Sequence, residues 1–447
     1  MANVIKLRKG LDIKLQGKAE EKTLHLKSNG KFALVPDDFV GVTPKVVVKE
    51  GDKVKAGDAL FVNKLYPEVK FASPVSGIVR EVVRGERRKV LCIKVDSDSQ
   101  QEFTDFGKKD VGSLNGEQVI NALLDACLFG YINQLPYAVS ANPTVMPKAV
   151  FVSALRDKPL AADFEFEVKG QEQDFQTGLT ALSKIAKTYL GVGVGSALEG
   201  MKDVEVNVFD GPCPAGNVGV QVNHLDPVNK GEVVWTIGDP TVVLFIGRLF
   251  NTGKVDLHRL VALCGSEVQK PMYVDMLVGE ELSTLLSNSY DASHSVRIIN
   301  GNVLTGTPTT KDGYLGAHAS EITIIPEGND ADEMLGWILP RFKQFSVNRS
   351  YFSWLCGKKE YALDARVKGG ERHMIMSGEY DRVLPMDIYG EYLVKAIIAG
   401  DIDRQEALGI YEVSPEDFAL AEFVDSSKLE LQRIVREGLD ILRKENA

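Results

Sequence analysis

Across residues 46–83 the apolar positions come as short β-branched runs, each closed by a turn-forming pair. Gly51-Asp52 and Gly57-Asp58 mark tight turns in the first half, and Ser73-Pro74, Ser76-Gly77 and Arg84-Gly85 repeat the arrangement in the second. Strands this short cannot bury a face singly, so the pattern predicts a small barrel-like sandwich over 31–105. Residues 1–30 ahead of it read as a short N-terminal strand segment, with turns at Lys9–Asp12 and Leu15–Gly17. The polar tract 96–109 reads as the way out of the sandwich.

Over 106–255 the periodicity changes to alternating helix and strand. The spacing of Val119, Ile120, Leu123, Leu124 and Cys127 predicts a helix over 115–127. Strands are predicted over 149–153 and 204–209, a helix over 178–189, and a buried strand or helix over 241–247. The sum is an α/β layered domain. From 256 to 335, short turn-linked strands over 257–263, 272–278, 295–299 and 321–325, with a helix over 279–286, predict a small β-grasp-like module. Residues 336–447 read as mostly helical. Ser414-Pro415-Glu416-Asp417 starts one helix, and Ser427 with Glu430 is expected to form a second capping box. Leu431, Ile434, Val435, Leu439 and Leu442 then make an apolar stripe that packs on its own domain.

Length and charge narrow the function. A chain of 447 residues suggests about three domains of ~150 residues. A formal net charge of -10 argues against nucleic acid, whose phosphates demand a basic footprint. The same acidity disfavours direct docking on anionic lipid, so membrane association is expected to run through a protein partner. No stretch is apolar and long enough to cross a bilayer, and MANVIKLRKG lacks the apolar core of a signal peptide, so a soluble, cytoplasmic chain is expected. Cys92, Cys127, Cys213, Cys264 and Cys356 are far apart, which leaves zinc, iron–sulfur and disulfide readings weak. Cys356 reads as a small buried residue.

Few motifs carry chemistry. Gly191, Gly193 and Gly195 lack the strand before and helix after that a dinucleotide fingerprint needs, so a glycine-rich strand or its exit loop is expected. His224, His258, His294, His318 and His373 are dispersed and read as structural. The aromatic, turn-rich segment 129–137 could clasp a flat ring or simply cover the core, and core covering is favoured. No general acid, base, nucleophile or metal ligand emerges.

Three resemblances add to this. The sandwich is similar to lipoyl/biotinyl carrier modules, but Lys64, the one lysine near the expected tip, lacks their flanking residues and reads as a solvated turn lysine. The whole chain resembles the NqrA family, a component of the bacterial sodium-translocating NADH:quinone oxidoreductases (Nqr). That match rests on KGLDIKLQG at 9–17, FDGPCPAG at 209–216, RIINGNVLTG at 297–306, GYLGAH at 313–318, FSVNRSYFS at 345–353, GERHMIMSGEYDRVLPMDI at 370–388 and EALGIYEVSPEDFALAEFV at 406–424. More distantly, the domain order is similar to the Rnf complex C subunit and the flavin-bearing subunit of complex I.

The resemblance implies an α/β multidomain fold: a lipoyl/biotinyl-like barrel-sandwich module, a Rossmann-like domain, a β-grasp-like (SLBB) module and a helical C-terminal domain. It implies a peripheral subunit on the cytoplasmic face of the bacterial inner membrane, partnered by the other Nqr subunits, NqrB to NqrF, and chiefly by the membrane component NqrB. The complex would use NADH, flavins, an iron–sulfur centre and quinone, with no cofactor in this chain. In the distant relatives a GGAGFPT-type loop admits flavin; here the matching YINQLPYA at 131–138 has side chains in place of the glycines. Their iron–sulfur cysteines would fall where this chain has only Cys356, and one thiolate cannot hold a cluster. Should the chain touch quinone, Phe129, Tyr131 and Tyr137 are the expected ring contacts. The alternative is a flavin-containing NADH dehydrogenase subunit of the Rnf or complex I type.

Overall fold

The computed structural model describes residues 3–329, 341, 342, 344–347 and 352–446. The expected boundary at 335/336 and the middle of the 345–353 motif lie outside them.

The turn-punctuated runs form two small sheets facing each other. One orders Lys31–Leu34, Val90–Ser97, Gly77–Arg84 and Lys53–Val54; the other orders Pro44–Val46, Ala59–Asn63 and Lys70–Ala72. Asp52 and Asp58 make the turns by accepting from the backbone N–H groups of Lys49 and Lys55 at 2.7 and 2.8 Å. The inner faces bury Phe61 and Phe71, stacked at 4.5 Å, with Phe39 against Phe71 at 4.4 Å.

A seven-stranded sheet forms the centre of the α/β domain. Its order is Asn3–Lys6, Glu205–Asp210, Lys187–Gly193, Ala149–Ser153, Val234–Ile237, Asn133–Leu135 and Val139–Ser140. The first five strands run parallel and the last two antiparallel. Ala149–Ser153 is buried at every position, as expected of a strand covered on both faces. Helix Gly116–Asp125 opens on a capping box between Asn115 and Gln118. Helices Glu172–Ile185 and Thr241–Thr252 pack together against the sheet. They approach so closely that a Cβ on Gly247 would sit 1.7 Å from the Asp174 carbonyl oxygen.

Three sequence expectations change here. The helix expected over 178–189 occupies Glu172–Ile185, and residues from Lys187 form a strand. Thr188, Tyr189 and Val192 pair between two neighbouring strands, and that pairing overrides the helical spacing. The apolar run at 241–247 is helical. Ser427 caps no helix: its Oγ accepts from the Ile375 N–H at 3.1 Å, and helix Leu431–Glu445 starts at Glu430 without a side-chain cap.

A six-stranded sheet follows, in the order Thr307–Thr309, Val296–Asn300, Glu321–Pro326, His258–Cys264, Met272–Leu277 and Glu20–Leu24. The N-terminal segment therefore contributes one edge strand to the central sheet and another to this one. The C-terminal helices Gly390–Ala399, Ala419–Val424 and Leu431–Glu445 bury Leu393, Leu420, Val435 and Leu439 together with Leu7, Ile13 and Phe209. No helix among the described residues is long and apolar enough to cross a membrane.

Candidate functional site: a crevice at the strand ends

Strands Ala149–Ser153 and Val234–Ile237 are parallel neighbours between which the strand order reverses. From the first it passes to Lys187–Gly193 and Glu205–Asp210, then crosses back to reach the second. Such a switch point opens a crevice beyond the carboxyl ends of the strands, where α/β sheets bind ligands. A cavity of about 550 Å³ lies there. Leu155–Lys158 and Gly238-Asp239 leave the two strands into it. Asp37, Asp38 and Val40 of the sandwich, Asn300–Thr307 and Gly316–Glu321 of the second large sheet, and Ser414–Glu416, Gln432 and Arg436 of the C-terminal region complete the walls.

A buried charge network forms the floor. Arg156 donates to Glu167 and to Asp239, both at 2.8 Å, and to the Thr241 hydroxyl at 2.8 Å. The Thr241 hydroxyl in turn donates to Glu167 at 2.9 Å. Arg259, from the six-stranded sheet, places Nη1 2.9 Å from Asp239 Oδ2 as an ion pair and donates to the Ala317 carbonyl at 3.2 Å. Burial alone would raise the Asp239 pKa, but the Arg259 and Arg156 guanidiniums outweigh it and hold the carboxyl well below the usual carboxylate range. The network thus stitches the α/β domain to the neighbouring sheet while neutralising its own charge.

Toward the sandwich, Tyr131 lines the crevice with its ring 5.5 Å from the His318 ring and edge-on to Phe39 at 5.1 Å. Burial pushes the His318 pKa down, which keeps the imidazole neutral, and pushes the Tyr131 phenol up. Asp38 accepts from the Ala317 N–H at 2.8 Å. Burial raises its pKa to about 6, further than that hydrogen bond can lower it. On the opposite wall Lys158 pairs with Glu416 at 2.8 Å, and Asp157 accepts from the Gly216 N–H at 2.8 Å. Arg436 reaches over the loop after Leu135 and donates to the carbonyls of Tyr137 at 2.6 Å and Ala138 at 2.9 Å. It thereby holds two residues of left-handed backbone, φ +82° and +46°.

The three aromatic residues singled out from sequence separate here. Tyr131 lines the crevice. Phe129 is fully buried with its ring 5.1 Å from Trp235, and Tyr137 turns its hydroxyl toward Asn446 at 3.3 Å. The residues that dominate the crevice electrostatically (Asp38, Arg156, Asp239, Arg259 and His318) carried no sequence signal beyond the GYLGAH segment. His224 is structural, with Nδ1 2.9 Å from the Val220 carbonyl oxygen. Cys356, expected to be buried, is exposed because the turn that carries it lies at the surface. Among the described residues no group of His, Cys, Asp and Glu could hold a metal ion.

A flavin mononucleotide or dinucleotide would bring phosphate, and the crevice does not fit one. Six acidic residues line it against three cations. Arg156 and Lys158 are already ion-paired, and Arg436 is spent on carbonyls and on Asp440 at 3.1 Å. Val218 and Gly219 bring the first turn of helix Val218–Leu225 to the crevice wall, the usual seat for an anion. The Asp417 carboxylate lies beside that turn, accepting from Asn217 Nδ2 at 3.1 Å and from the Ser414 N–H and hydroxyl, both at 2.8 Å. A Cβ on Gly219 would lie 2.4 Å from the Asp417 carboxylate, so glycine is what permits this approach.

Three family profiles match the chain. They describe the NqrA N-terminal barrel-sandwich hybrid domain over residues 5–98, the NqrA second alpha/beta domain over 114–255 and an NqrA C-terminal domain of SLBB type over 260–311. Among full-length relatives, the NqrA protein of the Na(+)-translocating NADH-quinone reductase of Yersinia pestis bv. Antiqua (strain Angola) is 34% identical over 99% of this chain and 100% of its own length. Those of Serratia proteamaculans and Neisseria meningitidis serogroup B, named alike, are 35% and 33% identical over the same shares. An NAD+-reducing [NiFe]-hydrogenase overlays with a TM-score of only 0.34 and 10% identity over 77% of this chain and 67% of that one. These full-length matches mark the chain as a subunit of an oxidoreductase complex. The chain belongs to the NqrA family of the Na(+)-translocating NADH-quinone reductase.

Proposed function

We propose that this chain is the peripheral, cytoplasmic-side component of a pump that oxidises NADH, reduces quinone and exports sodium, and that it carries no redox centre itself. The flavins and the iron–sulfur centre belong to partner subunits, and the isolated chain is inactive. In this reading the sandwich is lipoyl-like without attachment at Lys64, the α/β domain is Rossmann-like and the SLBB module β-grasp-like, across the domain limits expected from sequence. Docking runs chiefly to the membrane component NqrB, with NqrC to NqrF completing the complex.

The observation that carries the proposal is the pairing of a full-length family match with a switch-point crevice that has an acidic lining and the Asp417 carboxylate against the first helical turn of its wall. An acid-lined crevice with committed cations rejects a nucleotide but imposes no charge penalty on a neutral ring. Quinone contact is accordingly assigned to Tyr131, with Phe129, buried against Trp235, and Tyr137 as the further ring candidates. The flavoprotein alternative would need phosphate partners that this lining does not offer.

A tagged chain expressed in its own cells tests the assembly role. Affinity purification from detergent-solubilised membranes is expected to bring down the other Nqr subunits with NADH:quinone activity. Recovery of the tagged chain alone, with that activity remaining in the unbound fraction, would contradict it.

A further inference from the structure

The net charge of -10 averages over a surface that has one strong local exception. Strands Gly77–Arg84 and Val90–Ser97 are joined by a hairpin reading Arg84-Gly85-Glu86-Arg87-Arg88-Lys89, in which four of six residues are cationic. Lys89 is used at the base, where it pairs with Asp37 at 2.6 Å. Arg84 donates to the Arg88 carbonyl at 3.2 Å, which fixes the side chain but leaves its charge unneutralised. Arg87 and Arg88 are exposed and have no ion-pair partner among the described residues.

The backbone of this tip supplies a second, independent observation. Arg87 and Arg88 are both left-handed, with φ of 53° and 62°. Glycine or asparagine adopts that conformation with least strain, whereas an ordinary side chain resists it. Two consecutive strained positions occupied by arginine point to a use for the side chains rather than to turn formation. A third observation lies directly beneath. Leu91 is 41% exposed and sits against Gly85, whose added Cβ would meet it at 3.2 Å.

We infer that this hairpin is a lipid-surface contact: Arg84, Arg87 and Arg88 pair with anionic phospholipid headgroups while Leu91 gives the tip an apolar footing at the headgroup boundary. Guanidinium matches phosphate oxygens in a bidentate geometry, and its aliphatic stem tolerates the boundary between water and acyl chains. A folded protein partner is the poorer fit, because the tip offers charge and one leucine rather than the well-packed apolar centre on which protein interfaces depend. The surface goes beyond the proposed docking on NqrB and adds an orientation. Since Lys89 holds Asp37 and Asp37 lines the crevice, the hairpin's contact would bring that edge of the crevice close to the bilayer. At this tip the acidity of the whole chain therefore does not oppose lipid.

The test is sedimentation of the full chain with vesicles of phosphatidylcholine alone or of phosphatidylcholine mixed with phosphatidylglycerol, at low ionic strength. The chain is expected to bind only the mixed vesicles and to be released by salt. Each arginine lost should weaken partitioning about fivefold, so Arg87→Gly combined with Arg88→Gly should weaken it about 25-fold. The same double variant should melt at an equal or higher temperature, because glycine relaxes the two left-handed positions. Failure of the chain to bind mixed vesicles, or equal binding by the double variant, would overturn the inference. Capture by immobilised polyglutamate without vesicle binding, or release by inorganic phosphate far below the ionic strength at which chloride acts, would overturn it as well.

Discussion

Asp239→Ala is expected to lower the unfolding free energy by about 3–5 kcal/mol, the largest effect of any single polar substitution in the crevice. Arg156 would keep Glu167 at 2.8 Å, but Arg259, whose side chain is fully buried, would lose its only carboxylate among the described residues. An unpaired guanidinium cannot shed its charge by titration, so the fold carries the whole desolvation cost. The companion Arg259→Met should cost less, because Asp239 keeps Arg156. Combining Asp239→Leu with Arg259→Met should recover part of the loss, since an apolar pair removes both charges at once. Urea unfolding of the four proteins decides the matter, and a loss below about 1 kcal/mol for Asp239→Ala would show the network to be well solvated.

The second large effect depends on pH. Asp38 is half-buried, and desolvation raises its carboxyl pKa from 3.8 to about 6. The folded protein therefore holds this proton more tightly than the unfolded chain does. Its destabilising contribution is absent below about pH 4, grows as pH rises through about 6, and is complete at neutrality, where it amounts to about 2–3 kcal/mol. Asp38→Asn removes the charge and keeps a carbonyl oxygen for the Ala317 N–H. The variant should be more stable than the parent at pH 8 by roughly that amount, with the advantage shrinking to nothing near pH 4. A stability difference that does not change between those pH values would mean that Asp38 titrates as a solvated carboxylate.

Both predictions rest on residues that the sequence did not single out, and the reason is physical. Local signals were legible where local forces decide. The helix expected over 115–127, the buried strand Ala149–Ser153 and the Gly-Asp turns of the sandwich are set by neighbours within a few residues. The helix expected over 178–189 was misplaced because strand pairing on both sides of Thr188–Val192 outweighs spacing. Ser427 has the right residue type for a cap, but its hydroxyl is taken by Ile375, fifty-two positions away. The crevice assembles from the sandwich, the α/β domain, the SLBB sheet and the C-terminal helices, so its charge pattern exists only after folding. Tyr131 and Phe129, two residues apart in the aromatic segment, are both buried, and of the two only Tyr131 reaches the crevice wall.

The replacement of the flavin loop's glycines by YINQLPYA could be read directly, and it is one of two features on which the proposed exclusion of a nucleotide rests. The other, Asp417 beside the first turn of helix Val218–Leu225, joins residues some two hundred positions apart.

The most direct measurement is the flavin content of the chain purified in its native state, followed by titration with FMN monitored by flavin fluorescence. No co-purifying flavin and no saturable binding is the expected result, because the lining is acidic and its cations are already committed. Stoichiometric flavin retained through purification, or tight binding of added FMN, would contradict it.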